Sequence, residues 1–173
     1  GTTTGQIGNF ANEILQKQNI EISAYFSVKM PDTWTPTFNL SNKEHVRKIN
    51  ERAELQIDSV IDKIINRAIG DYMQRKVPMP IAKWFYNMEY DTMRKTSHFH
   101  VENTCVGCGL CAQKCPISAI DITNKQPVWN QEQCVMCLSC LHHCPKFAIQ
   151  YGKRTKKHGQ YVHFPLSVKE NKV

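Results

Sequence analysis

From its N-terminus the chain passes through two hydrophobic periods in turn. Ile7, Phe10, Ala11, Ile14 and Leu15 recur at the i, i+3, i+4 spacing of a helix with one apolar face, which predicts a helix over about residues 8 to 17. Ile20, Ile22, Ala24, Phe26 and Val28 then alternate with Glu21, Ser23, Tyr25 and Ser27, the period of a strand. Pro31 ends it. The stretch Pro31 to Leu40, with two prolines, Asp32, Asn39 and the aromatics Trp34 and Phe38, reads as an ordered loop held by buried rings. Ser41 followed by Glu44 has capping-box spacing and opens a long helix. Val46, Ile49, Ala53, Ile57, Val60, Ile61, Ile64, Ile65 and Ala68 form its apolar stripe, and Gly70 is the expected left-handed stop. Between Pro78 and Asn103 the pattern becomes irregular and aromatic, with Trp84, Phe85, Tyr86, Tyr90 and Phe99, which predicts a connector packed between modules.

Beyond that connector the chain repeats itself. Cys105, Cys108, Cys111, Cys115 and Pro116 are followed by Cys134, Cys137, Cys140, Cys144 and Pro145, and both runs read C-x2-C-x2-C-x3-C-P. An offset of 29 residues carries each cysteine and proline of the first copy onto the second, and also Ala119 onto Ala148 and Ile120 onto Ile149. The eight cysteines all lie in this segment and none precedes Cys105. A zinc site takes four ligands, usually as two C-x2-C pairs, and gives no reason for a third cysteine and a C-P in each copy. A disulfide framework suits export, yet cysteines this close in sequence pair poorly and no charged n-region followed by an apolar h-region stands at the N-terminus. Three thiolates at such spacings reach three corners of an iron–sulfur cubane when the backbone wraps tightly around it, with the fourth ligand coming from elsewhere.

At these residues the segment from about Phe99 to Ile149 resembles the bacterial-type ferredoxins with two 4Fe-4S clusters. The resemblance implies low-potential one-electron transfer and a compact module of pseudo-twofold symmetry. It further implies that the fourth cysteine of each run ligates the other cluster, so that Cys105, Cys108, Cys111 and Cys144 hold one and Cys134, Cys137, Cys140 and Cys115 the other. Ile117 to Thr123 and Phe147 to Tyr151 are candidate strand ends, with Gln113 and Leu141 on the turns between ligands. Gly107 and Gly109 allow backbone amides to approach sulfur, whereas Met136 and Leu138 stand at the matching positions of the second copy. Unequal surroundings predict unequal potentials.

The rest of the chain is similar to the flavodoxin–ferredoxin fusion proteins of anaerobic bacteria and archaea. Thr3, Thr4, Gly5, Gly8 and Asn9, then Phe26 to Asp32, then the ferredoxin segment with its tail Tyr151 to Tyr161 carry that likeness. The order of helix, strand and Val28-Lys29-Met30-Pro31 matches the loop after the fourth strand rather than the phosphate loop that Thr2, Thr4 and Gly5 superficially suggest. The expected fold class is therefore α+β: a two-cluster bacterial ferredoxin domain preceded by the C-terminal part of a flavodoxin-like α/β domain. The expected layout is a partial flavodoxin-like segment over residues 1–75, an aromatic connector over 76–97, the ferredoxin domain over 98–152 and a basic tail over 153–173. Thr3, Thr4 and Gly5 would then form a flavin-ring loop, with FMN binding confined to a complete parent domain. The chain opens on Gly1 and its first methionine is Met30, which fits a cropped, processed or incomplete N-terminal domain.

Composition narrows the rest. With 173 residues, 41% apolar and 21% charged, the chain suits one ordinary domain or two small ones, and no run approaches the roughly 20 apolar residues that span a bilayer. A cytoplasmic protein is expected. The formal charge of +7 invites anionic partners, but two oxidised clusters of about two negative charges each bring it to roughly +3. Lys153, Arg154, Lys156, Lys157 and His158 read as a solvated surface or as a docking face for an acidic redox partner, where charge speeds encounter; nucleic acid is disfavoured, as no helix-turn-helix or RNP-like pattern accompanies them. His98, His100, His142 and His143 lie near the cysteines but are not needed as ligands. No G-x-S-x-G, Walker loop or G-x-G-x-x-G is present, so the expectation is an electron carrier without substrate chemistry of its own. Two alternatives stay open: a flavin-dependent oxidoreductase with the ferredoxin end as electron inlet, and a cluster protein binding nucleic acid through the basic tail.

Overall fold

The computed structural model describes residues 3–74 and 77–161. Two compact units emerge: one from residues 1–33 with 42–95, the other from Trp34–Ser41 with the chain from Thr96 onward.

The first unit is helical. Helix α1 runs Ile7–Gln16, close to expectation. Of the alternating segment from Ile20 to Val28 only Ala24–Tyr25 becomes a strand, β1, because only there does a parallel neighbour, β2 (Gly70–Asp71), supply a ladder. Gly70 donates to Ser23 O and Tyr72 to Tyr25 O. Helix α2 spans Lys43–Ile65 and departs from expectation at both ends. Its N-cap is Asn42, whose side chain accepts from His45 N at 2.9 Å, so the cap falls one residue past Ser41; Glu44 pairs with Arg47 instead of closing a capping box. At the C-terminus Arg67, at φ 51°, takes the left-handed position, with Arg67 N donating to Ile64 O and Ala68 N to Lys63 O. These bonds satisfy carbonyls that the last turn leaves open. Gly70 is thus a strand residue, not the helix stop.

The connector is also corrected. Met79–Met93 is a regular helix, α3, with Pro80 in its first turn, where a missing amide costs nothing. Ile81, Trp84, Phe85 and Met88 lie along one stripe at i, i+3, i+4 and i+7, yet each is more than half exposed. The pattern read as irregular because aromatic residues also occupy the neighbouring positions Tyr86 and Tyr90, which stack on each other at 4.5 Å.

The second unit holds the cysteines. A 3-10 turn (Thr96–His98) leads into β3 (Phe99–Val101), α4 (Leu110–Gln113), β4 (Ile120–Thr123), β5 (Gln126–Trp129), α5 (Ser139–His142), β6 (Ile149–Tyr151) and α6 (Thr155–His158). Strand β4 pairs with β5 across a two-residue turn at Asn124 and Lys125, both at positive φ, and β3 pairs antiparallel with β6. The internal repeat becomes a structural one. An offset of 29 superposes α4 on α5 and β4 on β6, while 28 maps β3 onto β5, so Val101↔Ile149 corresponds to Trp129↔Ile120. One extra residue before Cys134 accounts for the change of offset.

The core of this unit is made by Cys111, Ile120, Leu138, Cys140, Leu141, Ile149 and Tyr151, with Trp34, Phe99 and Trp129 against it. The loop predicted to be held by buried rings is therefore fixed by this unit. Trp34 meets Tyr151 at 5.4 Å, Thr35 is fully buried, Leu40 N donates to His158 O, and His158 Nδ1 contacts Thr35 O at 2.6 Å. What reads as a basic tail begins as structure: the buried Thr155 hydroxyl donates to Gln150 Oε1 at 2.7 Å and accepts from Tyr151 N at 3.0 Å. The tail beyond Tyr161 lies outside the described residues.

Candidate metal centre

Short helices with left-handed entries bring the cysteines inward. Gly109 precedes α4 at φ 75° and Leu138 precedes α5 at φ 55°; two residues earlier, Gly107 and Met136 also sit at positive φ. Such alternation of hand curls the backbone so that successive amides face one concavity, a lining suited to anionic sulfur. Ser118 and Phe147, again 29 apart, repeat the device after each C-P. Their following residues act on the fourth cysteines: Ala119 N donates to Cys115 Sγ and Ala148 N to Cys144 Sγ, each at 3.2 Å. Met136 N donates to Cys134 Sγ at 3.3 Å.

Two hollows result. The first, with about 360 Å³ of open space, is lined by Cys105, Cys108, Cys111 and Cys144. The second, with about 310 Å³, is lined by Cys115, Cys134, Cys137 and Cys140. Each thus joins three cysteines of one copy to the fourth of the other. The rest of each wall is mainly apolar, with Val106, Ile122, Pro127 and Ile149 around the first and Phe99, Ile117, Ile120 and Trp129 around the second. Among the described residues no three His, Cys, Asp or Glu side chains converge on a single-ion point. The thiols instead ring a space, and four soft sulfur donors around an apolar hollow fit an iron–sulfur cluster.

The electrostatics agree with a site built for a cation-rich guest. Burial, then the neighbouring Cys137, pushes the Cys140 thiol up to about 12, with Cys111 and Cys134 adding to the rise; burial likewise raises Cys111. Four thiolates cannot share such a pocket without positive charge among them, which iron supplies. Cys111 and Cys140 belong to one buried cluster, so the two sites adjoin.

The histidines are engaged elsewhere. His98 lies against Tyr151 at 5.3 Å, His100 faces Glu102, His142 Nδ1 accepts from Tyr161 N, and His143 Nδ1 contacts Ser139 O. None lines either hollow. Thr3, Thr4 and Gly5 close a turn in which Thr3 Oγ1 accepts from Gly5 N and Thr4 Oγ1 donates to Gln74 O.

Two features were invisible in the sequence. Gln160 Nε2 donates to the carbonyls of Leu141, His142 and Cys144 at 2.8 to 2.9 Å, tying the chain after α6 to a cysteine loop. Its only sequence signal is a lone amide in a basic run. Phe99, stacked on Trp129 at 4.8 Å and edge-on to Tyr151 at 5.0 Å, walls the second hollow with residues far apart in the chain.

Comparison with known proteins assigns this segment its class. Residues 98–145 match the family described as a 4Fe-4S dicluster domain, and the chain carries a ferredoxin-type domain there. An uncharacterised polyferredoxin-like protein of Methanocaldococcus jannaschii is 36% identical over 62 residues, covering 28% of this chain and 37% of the relative. A component of an ion-translocating oxidoreductase complex from Methanosarcina acetivorans is 39% identical over 46 residues, covering 27% of this chain and 17% of the relative. A further uncharacterised M. jannaschii protein is 44% identical over 55 residues, covering 32% and 21%. The chain thus spans between about a sixth and somewhat over a third of the length of these relatives. No solved structure matches it significantly.

Among the described residues no helix is long and apolar enough to cross a membrane.

Proposed function

We propose that this chain carries single electrons on two 4Fe-4S clusters, one in each hollow. Cys105, Cys108, Cys111 and Cys144 are the ligands of the first, and Cys115, Cys134, Cys137 and Cys140 of the second. The observation that carries the reading is the exchange of fourth cysteines between copies: each hollow is completed by the other half of the repeat. When bound, each cluster supplies a reversible one-electron couple. The chain contributes the thiolates, the amides aimed at sulfur, and apolar walls that exclude water. It offers no reacting side chain.

The partner is a redox protein. Lys153, Arg154 and Lys157 stand exposed around α6, and Lys156 pairs with Glu102 at 2.9 Å, which suits an acidic docking face met by long-range attraction. A flavin-linked parent rests on the resemblance of the N-terminal residues, and the chain itself is expected to take up FMN weakly or not at all.

Stepwise anaerobic reductant titration tests the reading. Uptake of two electrons per chain with bleaching of a broad visible absorption is expected. Clusters that stay oxidised under strong reductant would refute electron carriage, and salt-sensitive nucleic-acid binding beside that result would favour the structural alternative.

A further inference from the structure

The internal repeat lets the two hollows be compared position by position. Where the first is lined by Lys146, the second has Ile117, its counterpart at the offset of 29. Where the first has Gly109, the second has Leu138, only 2% exposed. Where the first has Pro127, the second has Phe99, backed by Trp129, the counterpart of Val101, which does not line the first. The second hollow is therefore lined by larger apolar groups and has no lysine or arginine among its lining residues, although Val135 stands exposed there as Val106 does at the first. The first is lined by the exposed Lys146, beside the exposed Val106 and Ile122.

Building on the two-cluster reading, we infer that the site ringed by Cys105, Cys108, Cys111 and Cys144 has the higher potential and is reduced first, and that Lys146 sets much of the difference. Reduction adds one electron from an external one-electron donor protein; no bond forms or breaks, and the site gains one negative charge. A neighbouring cation stabilises that added charge, and a bulky apolar wall does not. Two contacts oppose this order. The Met136 amide donates to Cys134 Sγ in the second site, but at 3.3 Å it is one long neutral contact against a full charge. Ser139 lies on the second wall opposite Leu110 on the first, and with His143 Nδ1 donating to the Ser139 carbonyl at 2.9 Å its hydroxyl proton is free for sulfur, but a single neutral hydroxyl donor is weaker than a full charge. An electron arriving at the second site would thus move to the first.

The test is an EPR-monitored potentiometric titration of the full chain, wild type against Lys146→Met, Lys146→Arg and Ile117→Lys, with iron and sulfide counted in each. Wild type should show two midpoints. Lys146→Met should lower the upper midpoint and leave the other in place, Lys146→Arg should keep both, and Ile117→Lys should raise the lower one. Lys146 is exposed, so its variants should fold even where Ile117→Lys loads poorly. A single shared midpoint, a Lys146→Met shift of the lower midpoint, or no shift at all, with eight irons present, overturns the potential order alone. Fewer than eight irons in the wild type overturns the two-cluster reading and this order with it.

Discussion

Exchanging Gly107 for alanine probes how tightly the backbone wraps the first hollow. The residue sits at φ 69°, where an L side chain costs about 1–2 kcal/mol. A Cβ there would lie 2.7 Å from Lys125 O, 2.7 Å from Lys125 Cβ and 3.1 Å from Lys125 Cα. These atoms belong to the β4–β5 turn and cannot rotate aside, so the turn must shift, an overpacking cost of about 1–3 kcal/mol more. Gly109 is the control. Its φ is 75°, but a Cβ would meet only Ile122 Cγ1 at 3.9 Å, leaving the conformational cost alone. The variants should therefore differ by about 1–3 kcal/mol, or roughly 5- to 150-fold in an equilibrium constant. Anaerobic guanidinium denaturation, followed through the visible absorption of the bound clusters, measures it. Gly109→Ala should destabilise modestly and Gly107→Ala far more, to the point of poor cluster loading. Equal effects, or a silent Gly107→Ala, would refute the close approach of the Lys125 turn to the cysteine loop.

Other consequences follow from packing and charge. Leu141 is fully buried between the halves of the repeat, and Leu141→Ala should cost about 2–5 kcal/mol and lower cluster occupancy at both sites, read by iron content and thermal melting. Thr155→Val keeps the shape but strands Gln150 Oε1 and Tyr151 N in a buried setting; a loss of about 1–3 kcal/mol is expected, and a neutral result in denaturant unfolding would remove α6 from the fold's support. The Lys156 ammonium holds the Glu102 carboxyl below the ordinary range. Because that pKa is depressed, the pair's contribution is complete above the unfolded carboxylate range and is lost as pH falls through the folded value. Lys156→Gln should move the Glu102 titration upward in carboxyl NMR, and an unchanged or lower midpoint would show that the pair does not form in solution. Both side chains face solvent, so the effect on overall stability should be slight.

The cysteine repeat was legible because a cluster dictates ligand spacing along the chain, and the helical stripes of α1 and α2 were legible because periodicity is local. The ends of α2 were not: Asn42 and Arg67 win their capping roles through geometry that Ser41 and Gly70 matched equally well on paper. Strand length from Ile20 to Val28 was overestimated because alternation reports a face to bury, while a strand also needs a partner, here two residues of β2. Helix α3 was missed because its apolar residues spill beyond one stripe. The capture of Trp34–Ser41 by the cysteine-bearing unit could not be foreseen, since Trp34 and Tyr151 meet across more than a hundred residues and neither position carries a motif.

Metal and sulfide analysis of the anaerobically prepared 173-residue chain tests the central claim most directly. Two sulfur-ringed hollows that complete each other require eight irons and eight inorganic sulfides per chain. Four irons, or stoichiometric zinc, would contradict it.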